Sequence, residues 1–91
     1  MPKSVFSDGY AVLLRALVDA RKTAGITQAQ LAGRLRKPQS FVSKIENGER
    51  RLDLVELVVV VRALGVDEEK FVSGVVKALP GDLMIAPVGG A

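Results

Sequence analysis

Apolar residues along this chain recur three and four positions apart, and that spacing predicts helices throughout. Tyr10, Leu13, Leu14, Leu17 and Val18 form the first stripe. Ser7 or Asp8 can cap that helix, which runs to about Ala24, and Gly25 supplies a left-handed stop. The next helix opens on a capping box, Thr27-x-x-Gln30: the Thr hydroxyl accepts from the Gln30 N–H while the Gln side chain reaches back. Ile26 and Leu31 stand at the hydrophobic-staple positions, and Leu31, Ala32 and Leu35 share one face. A third, short helix starts near Pro38, whose missing N–H costs nothing in a first turn. It turns Val42 and Ile45 inward, and Gly48 ends it. Asp53-x-x-Glu56 is a second capping box, opening a helix that runs to Leu64 and stops at Gly65. Residues 58–61 are all valine and fit a buried strand by propensity. The box before them and the glycine after them predict helix instead, since a lone strand would have no partner. Asp67 caps a fifth helix through about Leu79, with Phe71, Val72, Val75 and Val76 on one face and Pro80-Gly81 at its end. The fold class is all-α: a flexible arm over 1–6, a five-helix domain over 7–79 and a tail over 80–91. The tail is apolar but cannot be helical past Pro87; it is either a strand-like arm docked on a partner or disordered from about that point.

The second and third helices are joined by a tight turn, and the third leaves Gln39, Ser40, Ser43 and Lys44 free of the core. Those side chains carry the donors and acceptors that read base edges in a major groove: Gln bidentate to adenine, Lys to guanine, Ser permissively. Two helices so arranged make a helix-turn-helix, with the reading helix over about 38–47. Charge supports this. Residues 21–51 hold eight basic side chains against Glu46 and Glu49, a net +6, while the rest of the chain carries five basic and eight acidic side chains, a net −3. Positive charge gathered on the reading unit suits phosphates.

Three pieces, Gly25-Ile-Thr-Gln-Ala-Gln-Leu-Ala32, Phe41-Val-Ser-Lys-Ile-Glu-Asn-Gly48 and Ala63-Leu-Gly-Val66, resemble the lambda-repressor-like, or xenobiotic-response-element (XRE), helix-turn-helix family over roughly residues 10–76. The resemblance implies a five-helix DNA-binding domain and assigns roles. Gln28 contacts phosphate from the start of its helix and braces the first reading residue. Thr27, Lys37, Asn47, Arg50 and Arg51 lie along the DNA backbone, fixing register rather than sequence. Phe41 is counted with them, although it can equally touch a thymine methyl or tuck under the first motif helix. Arg21 and Glu46 match a family pair that ties the reading helix to the first helix. Arg36 departs from the pattern, standing where the family has a left-handed glycine, so positive φ is expected there at about 1 kcal/mol.

The chain has 91 residues and neither Cys nor His. That excludes disulfides, zinc fingers and His-based catalysis, and the scattered Asp and Glu assemble no acid, base and nucleophile. No enzyme, metal site or cofactor is therefore expected. No signal peptide is read, and the longest apolar run, residues 57–61, is too short for a membrane. The resemblance implies a cytoplasmic regulator, nucleoid-associated when bound to double-stranded DNA. It would be a repressor acting as a homodimer on a two-fold operator, without an effector domain of its own. Phe71, Val72, Val75, Val76, Leu79 and Leu83 are the expected dimer face. Two other readings share the fold: an antitoxin whose partner is a toxin protein, and an activator that touches RNA polymerase.

Overall fold

Helices α1 (Val5–Thr23), α2 (Gln28–Leu35), α3 (Gln39–Glu46), α4 (Leu54–Ala63) and α5 (Glu68–Ala78) follow one another in a computed structural model that describes residues 5–81 and Leu83. Their ends share one device. After α1, α2, α3 and α4 a residue with positive φ stands at 25, 36, 48 and 65. At each stop the next N–H reaches back five residues: Ile26 to Arg21, Lys37 to Ala32, Glu49 to Lys44 and Val66 to Val61. This is the Schellman closure, which satisfies carbonyls that a helix end would otherwise orphan. Three of the four stops are glycine, which enters the left-handed region at no steric cost; the fourth is Arg36, with φ 56° and ψ 44°.

Helix starts are equally local. Thr27 and Asp53 each close a full capping box, and the Asp67 carboxylate accepts from the Glu69 and Lys70 N–H groups. Two expected starts need correction. The chain is already helical at Val5, so Ser7 and Asp8 lie inside α1 rather than capping it, and the arm expected over 1–6 cedes residues 5 and 6 to the helix. An acidic residue favours the positive end of the dipole anywhere in the first turn, so Asp8 does not mark one starting point. Pro38 is the extended N-cap of α3 and not its first turn, with φ −69° and ψ 157°. Arg36 and Lys37 are occupied in closing α2, so the helix restarts only past Pro38. The tail expected to be an arm or disordered lies, beyond Gly81 and Leu83, outside the described residues.

The core gathers Leu17 of α1, Ile26, Leu31 and Ala32, Val42 and Ile45, Val60, Val61 and Leu64, and Phe71. α2 packs on α3 and α4, while α1 packs on α3 and α5. The valine run is helical: Val60 and Val61 are buried whereas Val59 is 51% exposed. At the far end of α1, Gly9 is buried where a Cβ would stand 3.2 Å from the Leu83 side chain. Glycine there lets the chain beyond α5 close over the start of α1. Among the described residues no helix is long and apolar enough to cross a membrane.

Candidate nucleic-acid interface

α3 is anchored by an ion pair at its last residue. Arg21 donates from Nε to Glu46 Oε2 at 2.7 Å and from Nη2 to Glu46 Oε1 at 3.0 Å. Its third arm, Nη1, donates to the Ile26 carbonyl at 2.9 Å. The two side chains are only 11% and 9% exposed. Burial pushes the Glu46 carboxyl up, but the hydrogen bonds from Arg21 and Gln28 outweigh it and hold the group below the usual carboxylate range. The hydrogen bond to Glu46 raises Arg21 in turn. The pair that the family resemblance implied is formed, and it joins α1 to α3.

Gln28 extends this network to the start of α3. Its Nε2 donates to Glu46 Oε1 at 2.8 Å, and its Oε1 accepts from Gln39 Nε2 at 3.5 Å. An ionised carboxylate only accepts, so the amide nitrogen of Gln28 must face Glu46 and its oxygen must face Gln39. That settles the Gln39 amide as well: one N–H turns to Gln28, leaving its oxygen and a second N–H for another partner. Gln39 and Ser40 are exposed, Ser43 is half-buried and Lys44 is exposed, so the four expected readers share the outer side of α3.

The basic residues prove less alike than their count suggests. Arg21 is paired with Glu46, and Arg34 donates from Nη1 to the Ala63 carbonyl at 2.8 Å, closing the end of α4. Arg50 donates from Nη2 to Glu56 Oε2 at 2.6 Å. That hydrogen bond raises Arg50 and holds the Glu56 carboxyl below its usual range. Arg51 lies over the Tyr10 ring, 4.3 Å from its centroid. Lys22, Arg36, Lys37 and Lys44 remain exposed, with Lys37 Nζ 5.4 Å from the centre of the Phe41 ring. Asn47 is exposed in the following loop; the exposed Thr27 hydroxyl is engaged as acceptor of its cap and keeps its own proton to donate.

Phe41 is half-buried and packs against the core, while Arg50 Cζ lies 4.7 Å from its ring centroid. Of the residues expected at a dimer face, Phe71 is buried, and Val75, Leu79 and Leu83 line the depression beside Gly9, Tyr10 and Leu13. The chain's own fold uses all four, leaving Val72 and Val76 outward at 40% and 61% exposure. Leu54 and Val55, both 71% exposed, and Val59 are further exposed apolar side chains, on α4. Sequence reasoning missed this face because a helix apolar all round carries no sign of which side is covered. It also missed Glu56 as a partner of Arg50, having read it only as a cap. Tyr10 was read only as part of the core stripe, yet its hydroxyl accepts from the Leu52 N–H at 3.2 Å.

This geometry agrees with what the chain resembles. The helix-turn-helix family profile matches residues 17–71. Comparison with curated proteins finds no match. Among solved structures the chain is similar to an XRE-family like protein from Pseudomonas syringae pv. tomato str. DC3000. The two are 46% identical, the match covers 84% of this chain and 93% of that one, and the TM-score is 0.78. Helix-turn-helix chains of this type are DNA-binding transcription regulators, and this chain belongs to that XRE-type family.

Proposed function

We propose that the protein is a repressor that reads a two-fold operator as a homodimer, with α3 in the major groove. The observation that carries the reading is the orientation of Gln39. Its amide, held by Gln28 and through it by Glu46, keeps one oxygen and one N–H side by side at the exposed start of α3. Those are the acceptor and donor that adenine N6 and N7 require. Ser40, Ser43 and Lys44 follow on the same side, and Thr27, Gln28, Lys37, Phe41, Asn47, Arg50 and Arg51 surround them as backbone contacts.

The test is a pair of substitutions measured on selected and on random duplex. Gln39→Ala costs about 1–3 kcal/mol on the preferred site and little on random DNA. Lys37→Ala, at an exposed cation outside any ion pair among the described residues, weakens both alike, because a phosphate contact carries no sequence. Equal losses for Gln39→Ala on the two duplexes would show that it touches only backbone. A single α3 covers too few base pairs to mark a site, and two-fold pairing places two copies about 34 Å apart, one DNA turn.

A further inference from the structure

The Arg50 guanidinium is held on three sides. Nη2 meets Glu56 Oε2 at 2.6 Å, Nη1 donates to the Arg51 carbonyl at 3.2 Å, and the carbon centre lies 4.7 Å from the middle of the Phe41 ring. The other oxygen of Glu56 accepts from the Asp53 N–H at 3.1 Å, completing the α4 capping box. One carboxylate thus starts α4 and neutralises a cation of the loop that follows α3. Both side chains remain about a third exposed, so the pair is accessible to a competing anion. Glu49, in the same loop, is exposed, and its side chain makes no hydrogen bond or ion pair among the described residues.

We propose that Glu56 competes with DNA phosphate for Arg50 and thereby suppresses non-specific binding. This rests on the DNA-binding reading above. Loose, sequence-independent association is driven by charge at a distance, where Arg50 and Glu56 cancel. In a closely docked complex a phosphate oxygen can reach the remaining guanidinium donors at hydrogen-bond distance, and charge-assisted contact is strong there. The pair therefore withholds a cation from random duplex while leaving it available to a complex whose bases already fit. Phe41 and the Arg51 carbonyl keep the guanidinium in place when the carboxylate yields.

Glu56→Gln isolates the charge, because glutamine at this position still serves a capping box. A thermal melt confirms the fold, and affinity for a random duplex is followed across a salt series. Removing the carboxylate tightens random-duplex binding about 3- to 10-fold at low salt and steepens the log–log salt slope by about one per protomer. Added to Arg50→Ala, Glu56→Gln gives only the smaller gain of removing a repulsive carboxylate, without the added slope, and Glu49→Gln gives a comparable small gain in either background. Unchanged or weaker binding by Glu56→Gln would overturn the proposal, as would an equal gain with Arg50 absent. In each case parent binding that falls with salt would leave the DNA-binding reading standing. A parent protein that binds no duplex would overturn both.

Discussion

Arg36 performs in this chain the task that glycine performs at residues 25, 48 and 65. A Cβ in the left-handed region crowds the following carbonyl, and the side chain here is exposed, with no hydrogen bond or ion pair among the described residues to offset that cost. Arg36→Gly is therefore expected to stabilise the domain by about 1 kcal/mol, read as a shift in urea midpoint with unchanged slope. A loss of stability would mean that the arginine makes contacts in the folded state beyond those seen. The same substitution removes one exposed cation next to α3, so DNA affinity and stability should move in opposite directions.

At the scale of helices, the Arg21–Glu46 pair decides how α3 sits on α1. Its carboxyl lies below the usual range when folded, so it contributes stability above that range and loses it as the pH falls through the folded value. Glu46→Gln keeps acceptor and donor atoms but no charge. At neutral pH it is expected to cost about 1–3 kcal/mol, since a nearly buried Arg21 loses its counter-charge. Below the ordinary carboxyl value of 4.5, where the unfolded parent takes up its proton first, the stability gap between parent and variant should shrink, until the folded carboxyl is protonated as well. Denaturant curves from pH 7 down to 3 measure that gap, and a constant difference would show that the pair is not what titrates. The variant also removes the anion that orients Gln28, so base discrimination at Gln39 should weaken together with stability.

Across the whole molecule, exposed apolar side chains gather on the last two helices, and Val55 and Val59 line a depression with Lys37 and Phe41. Every large hydrophobic side chain that is exposed lies on α4 or α5 among the described residues: Leu54, Val55, Val59, Val72 and Val76. A face of that kind favours association with a second copy. Val72→Asp with Val76→Asp tests it without disturbing the core; Leu83, packed near Gly9, is a poor choice because its loss would also loosen α1. Sedimentation with operator should show the parent at two protomers per site and the double variant at one, with weaker binding. Two protomers at undiminished affinity would move the interface elsewhere. Salt provides the complementary measurement. With Lys22, Arg36, Lys37 and Lys44 exposed in each protomer, phosphate contact by all of them gives a dimer a log–log slope of about −7, and a flat plot would remove the basic face from the mechanism.

The five helices were legible in the sequence because their signals are local. A capping box spans four residues and a left-handed stop needs one, so Thr27, Asp53, Asp67 and the three glycines declare their elements without tertiary help. The Arg36 turn was expected from the family likeness, which puts a left-handed residue there, while the outer side of α3 was legible from periodicity, which separates Val42 and Ile45 from Gln39 and Lys44. Arg21 and Glu46 are 25 positions apart, and only a family likeness joined them before the structure placed their atoms at 2.7 Å. Nothing in the sequence distinguished a cation free for phosphate from one already held. Arg34 on the Ala63 carbonyl, Arg50 between Phe41 and Glu56, and Arg51 over Tyr10 are fixed by how α1, α2 and α4 meet the loop after α3. The same holds for α4, whose run of valines specifies apolarity on all sides, while the packing of its neighbours decides that Val60 and Val61 are covered and Val55 and Val59 are not. Local hydrogen bonding and periodicity are encoded within a turn or two of chain. Which face is covered and which charge is neutralised depend on residues brought together from distant parts of it.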